Sequence, residues 1–499
     1  MLTVEEIRRF IDDDAASQKK KQAEIGQKYY DGDHDIKGYR LFYYNADGKL
    51  VEDKARSNIK ISHPFFTELV DQAVQYILSG SEGFIKSKIP ELQTELDKYF
   101  NEDEDFIAEL SEVLTGSQAK GFDYMYTYKN EDNRTAFQCA DGMGVVEVRA
   151  KDTDADTEHV IYHYIDRIDK GYKKIKRIQV WDEKEVTFYV QVDNGNIEED
   201  ISQPVNPRPH TLYKKGNAET IYQDSYGLIP FFRLDNNKKQ TSALKIIKPI
   251  IDDYDLMNCG LSNNLVDFDT PIYVVKGFEN EVMDELFQNV KTKKIVGMES
   301  TDSGAGMEVH TVAIPYEARK IKMELDEKNI YRFGMGLNTS GLKDTAATTN
   351  IAIKAAYSLL DLKCSKIIIR LKQFLRKLIK VVLDEINAVN GTDYQQKDVY
   401  FHFEPEIMSN EHENAQIKLT EAQARQAEIN TLLGLAAHLN NETFMQLVCE
   451  QLDIDYDEIK GKLPDPDEAE NAIKDAQGGL HSVVVEDEQK AEGNTAGIS

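Results

Sequence analysis

The first group of residues whose type and spacing could do chemistry is the acidic stretch Asp31-Gly32-Asp33-His34-Asp35. Its three carboxylates stand at alternate positions, as a calcium loop needs in order to surround a hard cation with oxygens. The glycine and the glutamate that such a loop places further along are absent, since the following residues include Lys37 and Phe42. We therefore interpret residues 31–35 as an acidic surface turn.

A second acidic group, Asp252-Asp253-Tyr254-Asp255, could hold a magnesium-bound phosphate in a helical enzyme. Such a site requires a second matching motif. The available candidate, Asp267-Phe268-Asp269, falls in a predicted loop. A solvated helix face is the favoured interpretation, and a metal-dependent phosphate-transfer enzyme stays as the alternative.

The sequence shows no other catalytic or nucleotide-binding pattern. Its glycine pairs fit neither the dinucleotide fingerprint nor a phosphate loop, and there is no G-x-S-x-G or H-E-x-x-H. The glycines considered were Gly304, Gly306, Gly334, Gly336 and Gly341. His402-Phe403-Glu404, on a predicted strand, is more typical of structure than of catalysis. We predict no catalytic residue, cofactor or metal, and a protein that is not an enzyme.

The overall charge excludes a generally basic nucleic-acid coat, because 60 Lys and Arg face 88 Asp and Glu, a net charge of −28 over 499 residues. With 41% hydrophobic residues the chain can form several cores, so a disordered acidic polymer is also excluded. Cys139, Cys259, Cys364 and Cys449 are far apart and predict buried thiols in a reducing compartment. Neither a signal peptide nor a long apolar run is visible, so we expect a soluble, cytosolic protein with no membrane partner.

One segment reverses this charge. Residues 354–380 carry eight bases and a single acid, Asp361, for a local net charge of +7. The bases are Lys354, Lys363, Lys366, Arg370, Lys372, Arg376, Lys377 and Lys380. Such a strip could contact phosphates of nucleic acid, or it could pair with acids of a neighbouring copy, such as those of residues 101–113. We favour the second alternative, in which the helix forms a strut between neighbouring copies of the chain.

The elements that would position these residues follow from periodicity. Residues 1–130 look mainly helical, with Thr3 as an N-cap and an apolar helical period over 65–77. Residues 135–235 alternate with period two and predict a β-meander. The remaining predicted elements are a helix over 242–265 whose main part starts at Pro249; a small insertion with strands near 272–275, 294–296 and 309–312 and a short helix near 282–286; a helix over 316–333; a mobile loop over 334–350; a long helix over 351–386; a strand over 399–403; helices at 414–438 and 442–452; and a disordered acidic tail.

This order of elements resembles the portal proteins of tailed double-stranded-DNA bacteriophages of the siphophage type. Several stretches appear in the family's order, and the resemblance spans most of the chain, from about residue 25 to 460. They are Ser57-Asn58-Ile59-Lys60-Ile61-Ser62-His63, Leu69-Val70-Asp71-Gln72, Tyr76-Ile77-Leu78-Ser79-Gly80, Asn206-Pro207-Arg208-Pro209-His210, Ile229-Pro230-Phe231, Ile250-Ile251-Asp252-Asp253-Tyr254-Asp255 and Leu359-Leu360-Asp361-Leu362-Lys363.

The resemblance implies an α+β, portal-type multi-domain subunit that assembles into a twelve-membered ring with a central channel at one capsid vertex. The implied parts are a wing (1–240, with 387–408), two stem helices (241–265 and 315–335), a clip (266–314), a tunnel loop (336–350), a long helix (351–386), a crown (409–460) and an acidic disordered tail (461–499). The implied partners are double-stranded DNA, terminase, capsid and scaffolding proteins, and head-completion or connector proteins. The implied location is the virion, with assembly in the host cytoplasm.

The same resemblance assigns the DNA channel contacts to the tunnel loop. The residues concerned are Asn338, Thr339, Ser340, Gly341, Lys343, Asp344, Thr348 and Thr349. The family's glycine-rich tunnel stretch is here Thr345-Ala346-Ala347-Thr348-Thr349-Asn350, which is a departure from the pattern. An acidic scaffold that binds only proteins is a further alternative to the portal.

Overall fold

The computed structural model of the chain describes most residues up to Phe403 and individual positions between 419 and 449. The described ranges before that point are 2–54, 56–80, 83–130, 133–149, 157–168, 171–214, 221–268, 272–276, 306–311, 314–339 and 350–403. The chain divides into two compact units, Met1–Met408 and Ser409–Ser499. In the second unit the described positions are helical, and the side chain of Cys449 is buried. Predicted elements at 282–296 and the tail beyond 461 lie outside the described residues.

The described residues of the first unit form eight α-helices. They are α1 (Val4–Ala16), α2 (Gln18–Tyr30), α3 (Phe65–Leu78), α4 (Pro90–Leu96), α5 (Glu104–Lys120), α6 (Leu244–Asp267), α7 (Tyr316–Gly334) and α8 (Asn350–Asn390). The predicted cap of α1 is confirmed, since Thr3 Oγ1 accepts from the N–H of Glu6 while the Glu6 carboxylate accepts from the N–H of Thr3. The long helix is also confirmed and runs a few residues beyond its predicted end.

The same unit contains short antiparallel strands. They are β1 (Phe42–Tyr44), β2 (Leu50–Glu52), β3 (Ile85–Ser87), β4 (Phe122–Lys129), β5 (Thr135–Ala140), β6 (Val145–Arg149), β7 (Thr157–Ile168), β8 (Lys174–Trp181), β9 (Glu185–Val192), β10 (Ile197–Glu199), β11 (Arg208–Pro209), β12 (Thr211–Lys214), β13 (Ile221–Asp224), β14 (Phe231–Asp235), β15 (Ile272–Lys276), β16 (Gly306–His310) and β17 (Val399–Phe401). The mixture of helix and sheet fits the predicted α+β class.

The predicted meander is confirmed for its central part, a sheet in the order β10-β9-β8-β7-β6 with β11 pairing beside β10 along β9. The ends of the predicted stretch belong to other sheets, since β5 and β14 both pair with β4 and β12 pairs with β13. Helix α1 covers this sheet, and its buried Ile7 and Ile11 pack with Ile161, Ile178 and other inward strand residues. Alternation along the strands gives the sheet one apolar face, which is the face that α1 protects from water.

The main core lies between helices α3, α5 and α8 and the sheet β14-β4-β5. Its largest fully buried side chains include Phe66, Phe100, Phe106 and Phe374. Strand β17 follows α8 and pairs with β3, so the chain returns to its N-terminal half after the long helix. The core therefore fixes α3 and α8 against each other.

Helices α6 and α7 pack as an antiparallel pair, joined through the pairing of β15 with β16. The strand predicted near 309 thus pairs with residues 272–276. The prediction that the main helix starts at Pro249 is wrong, because α6 begins at Leu244 and Pro249 lies inside it. Leu244 and Ile247 are buried in the main core, and this burial keeps the turn before the proline helical.

The cysteines are free thiols, as expected. Cys259, Cys364 and Cys449 are buried, whereas Cys139 is only partly buried. Within the described residues, no helix has the length and apolar character needed to cross a bilayer.

Candidate functional site

Helix α3 fixes the residues that lead into the predicted tunnel loop. The side-chain amide of Gln72 makes two hydrogen bonds with the backbone of Leu337. Its Oε1 accepts the Leu337 N–H at 2.9 Å, and its Nε2 donates to the Leu337 carbonyl at 3.0 Å. This is the pairing that a neighbouring strand would provide, so a single side chain holds the backbone at the start of the loop.

Two glycines let this backbone approach α3. A Cβ at Gly336 would stand 2.0 Å from Cδ2 of Leu69, and one at Gly334 would stand 2.6 Å from its Cδ1. Tyr331, in the last turn of α7, donates its hydroxyl to the carboxylate of Glu68 at 2.7 Å. Close packing, and not phosphate binding, therefore explains Gly334 and Gly336.

Helix α3 also holds the first half of α8. Lys363 donates its Nζ to the carbonyl oxygen of Leu69 at 2.9 Å, and Tyr76 donates its hydroxyl to Asp361 at 3.4 Å. Burial lowers the pKa of Lys363 to about 8. Helix α3 is thus bonded to the chain at both ends of the predicted loop, at Leu337 near its start and at Lys363 beyond its end.

The predicted loop residues are only partly described. Asn338 is partly buried and Thr339 is exposed, and both directly follow the residue that Gln72 holds. The other six lie outside the described residues. They are Ser340, Gly341, Lys343, Asp344, Thr348 and Thr349.

The acids of the 252–255 motif do not converge. Asp252 accepts from Lys248 at 2.8 Å and from the Tyr29 hydroxyl, while Asp253 pairs with Lys322 on α7. Asp255 turns to the opposite, buried side. Among the described residues, no group of three or more His, Cys, Asp or Glu side chains is arranged to hold a metal ion.

Asp255 corrects the prediction of a solvated helix face, because its side chain is 0% exposed. One carboxylate oxygen lies 2.7 Å from Nδ1 of His34, and the other lies 2.7 Å from Nδ1 of His63 and accepts its backbone N–H at 3.0 Å. Burial raises the pKa of Asp255, but the hydrogen bonds from His34 and His63 outweigh it and hold that pKa below its ordinary value. Asp255 thereby joins α6 to two N-terminal segments.

The 31–35 turn is acidic and exposed at Asp31, Asp33 and Asp35, as interpreted, but His34 inside it is buried. Its ring stacks on Tyr29 with centroids 4.4 Å apart. The turn therefore serves as a bridge to Asp255 in addition to being a surface feature.

The basic strip on α8 is divided among several environments. Lys363 points to α3, whereas Lys372 and Arg376 lie over the rings of Phe403 and Phe401 at 5.7 and 5.2 Å from the ring centroids. Four further bases of the strip form no ion pair within the described residues. They are Lys366, Arg370, Lys377 and Lys380. The strip is therefore not a uniform surface.

Three of these features could not be read from residue type alone. Asp255 carried a signal, since Ile247, Ile251 and Cys259 occur at four-residue spacing around it and place it on the buried stripe of α6. Gln72 and Lys363 border the apolar stripes of their helices, but their partners are distant in sequence.

Comparison with known proteins matches this architecture to one family. Residues 10–456 match the family described as phage portal protein, SPP1 Gp6-like. The chain belongs to this phage portal protein family. The match covers most of the chain and confirms the resemblance seen in the ordered sequence stretches.

Two relatives within this portal family show how far its sequences have diverged from this chain. The portal protein of Bacillus phage SPP1 is 25% identical over 343 residues, which are 68% of this chain and 65% of that protein. The portal protein of Clostridium phage phiCD119 is 25% identical over 431 residues, 83% of this chain and 89% of that protein. The chain thus matches slightly less than two thirds of the SPP1 protein's length. Membership of the portal family favours a structural role over an enzymatic one.

Proposed function

We propose that this chain forms, with identical copies, a closed ring whose central channel lets double-stranded DNA enter the capsid during packaging and leave it at ejection. The observation that carries the proposal is the portal-family match over residues 10–456. Twelve copies at one capsid vertex form the proposed ring. Head-to-tail interfaces close into a ring when the rotation between neighbours divides a full turn.

The proposed assignments of the parts follow the family. Residues 1–240 with 387–408 form the wing, α6 and α7 the stem, 266–314 the clip, and 409–460 the crown. The proposed partners are terminase, capsid and scaffolding proteins, and the head-completion or connector proteins that attach the tail. The proposed location is the virion, after assembly in the host cytoplasm.

The charge of the chain suits a conduit. With a net charge of −28, the subunit repels phosphate on average, so DNA finds no deep binding minimum along the channel. A generally basic lining would instead hold DNA through counterion release and oppose sliding. The acidic balance therefore supports a channel through which DNA keeps moving.

We place the closest DNA contact at residues 336–350. The support is local: Gln72 fixes Leu337, Lys363 fixes α8 to the same helix α3, and Lys343 is the only base among residues 336–350. A base between two firmly anchored flanks can touch passing phosphates without adding a continuous basic surface.

Particle mass tests the ring proposal. Light scattering of the purified full-length chain should give a mass of many copies, in the range of a dodecamer. A mass of monomer or dimer across a range of salt and protein concentrations would overturn the ring and leave the protein-binding scaffold as the better reading.

A deletion tests the loop proposal. Removing residues 339–345 should leave the ring mass unchanged and strongly reduce packaged DNA per particle. Unimpaired packaging would show that this segment is remote from the DNA path.

The anchor can be tested with a matched pair on one helix. Gln72→Met removes both hydrogen bonds to Leu337 and should reduce packaged DNA while rings still form, because the start of the loop is no longer held. Gln75→Met is the control, since Gln75 is exposed on the same helix. Equal packaging by the two variants would remove Gln72 from the positioning of the loop.

The enzyme alternative makes an opposite prediction. We expect the chain alone to hydrolyse neither ATP nor DNA. Metal-dependent turnover that is abolished by Asp252→Ala would favour the enzyme.

A further inference from the structure

The outward face of α8 combines bases with large apolar side chains. Leu359, Leu362 and Ile369 are 40, 51 and 60% exposed. Spacings of three and four residues place them on the same side of the helix as Lys366 and Lys377. From Lys366 to Lys380 this face extends about 21 Å at ~1.5 Å per residue. We call it the α8 outer face.

The outward face of α5 has the opposite charge. Glu104, Asp105 and Glu112 are exposed on one side of the helix, and none of them pairs with a base in the described part of the chain. Tyr128 on β4 is 39% exposed. Its pKa is raised by burial and then by the negative charges of Glu109 and Asp105, so this aromatic side chain lies within the field of the α5 acids. We call this surface the α5 outer face.

Both helices already use their inner sides within the subunit. Phe106 and Leu110 of α5, and Leu371 and Phe374 of α8, are buried in the main core. The two outer faces are therefore rigidly supported, complementary in charge, and unpaired with each other inside the subunit as described. Complementary surfaces at two places on one chain are what a head-to-tail ring requires.

We propose that the α8 outer face packs against the α5 outer face of a second copy of this chain. The proposal rests on the ring of the proposed function and assigns one of its interfaces. A neighbouring protein surface accounts for the exposed leucines and isoleucine, since their burial removes apolar area from water, whereas DNA phosphates would engage only the bases.

Charge reversal tests this pairing. One variant carries Lys366→Glu, Arg370→Glu and Lys377→Glu; the other carries Glu104→Lys, Asp105→Lys and Glu112→Lys. Each variant alone places like charges at every interface, and we expect the fraction of chain in rings to fall at least tenfold, a difference of about 1.4 kcal/mol or more.

Mixing the two variants should restore rings. In the mixture, the acidic α8 face of the first variant meets the basic α5 face of the second. At the next interface the basic α8 face of the second variant meets the acidic α5 face of the first, so the two variants alternate around the ring. A charge-matched control carries Lys184→Glu, Lys238→Glu and Lys239→Glu at exposed lysines elsewhere, and it should assemble like the wild type. Circular dichroism of each variant checks that the subunit is folded.

Three results would overturn the pairing. The first is that either variant alone forms rings as readily as the wild type. The second is that a mixture of the two folded variants stays unassembled. Intact rings that lose packaged DNA would assign the bases to DNA. A wild-type chain that forms no ring would instead overturn the proposed function itself, so the two failures are distinguishable.

A second version of the test uses milder changes in case charge reversal disturbs folding. Lys366→Gln, Arg370→Gln and Lys377→Gln together should weaken assembly and make the remaining assembly less sensitive to salt, because surface ion pairs are screened by salt. Unchanged ring mass with unchanged salt dependence would contradict the interface.

Discussion

The acids of α6 and the bases on the outer side of α8 belong to the same subunit, but they differ in whether they have partners within it. Asp252, Asp253 and Asp255 each have a partner within the chain, on three different elements. The α8 bases Lys366 and Lys377 have none within the described residues. The difference teaches that the α6 charges hold the subunit together, whereas the α8 charges are left to the contact with a second copy that we propose.

The largest expected effect is the loss of Asp255. Asp255→Ala removes the partner of His34, of His63 and of a backbone N–H, and it leaves buried polar groups unsatisfied. We expect the free energy of unfolding to fall by about 3–5 kcal/mol in urea denaturation of the full-length chain.

Asp253→Ala is the matched control on the same helix. Its carboxylate and the Lys322 ammonium are 39 and 40% exposed, and exposed ion pairs contribute at most about 1 kcal/mol. Equal losses in the two variants would remove the distinction between a buried and a surface acid on α6.

Acid sensitivity sharpens the same point. The folded-state pKa of Asp255 lies below the ordinary 3.8, so its contribution to stability is present above the unfolded-state pKa and is lost as the pH falls through the folded-state value. Asp255→Asn lacks this titration. Urea midpoints measured from about pH 5 downwards should therefore fall less steeply in Asp255→Asn than in the wild type. Parallel curves would show that Asp255 does not contribute to the acid response.

Lys363 provides a smaller test on α8, because it is the base of the strip that points inward. Its pKa is lowered by burial from 10.5 to about 8, so the unfolded chain binds more protons between these values and the stability of the wild type rises with pH in this window. Lys363→Met should remove that rise. It should leave stability at neutral pH unchanged or slightly higher, since the Leu69 carbonyl keeps its bond within the helix. A variant that keeps the same rise would assign it to other groups.

Periodicity and local chemistry predicted much of the fold. Thr3 with Glu6, the apolar period of α3, the alternation of the meander and the length of α8 are local patterns, and the structure confirms them. The start of α6 was predicted wrongly because proline prefers the first turn of a helix, which placed the start at Pro249. Burial of Leu244 and Ile247 in the main core instead keeps the preceding residues helical.

The polar contacts were harder to predict. Asp255 could have been placed on a buried stripe from the spacing of its apolar neighbours, but its bonds to His34 and His63 join positions about two hundred residues apart. The bond from Gln72 to Leu337 spans a similar distance. Such pairs depend on how elements pack, which a single sequence does not reveal.

Electron microscopy of the purified full-length chain tests the portal proposal most directly. Averaged end-on views should show a closed ring of identical subunits with an open central channel. Single subunits, dimers or open filaments in the same images would contradict the proposal that this chain forms a DNA conduit.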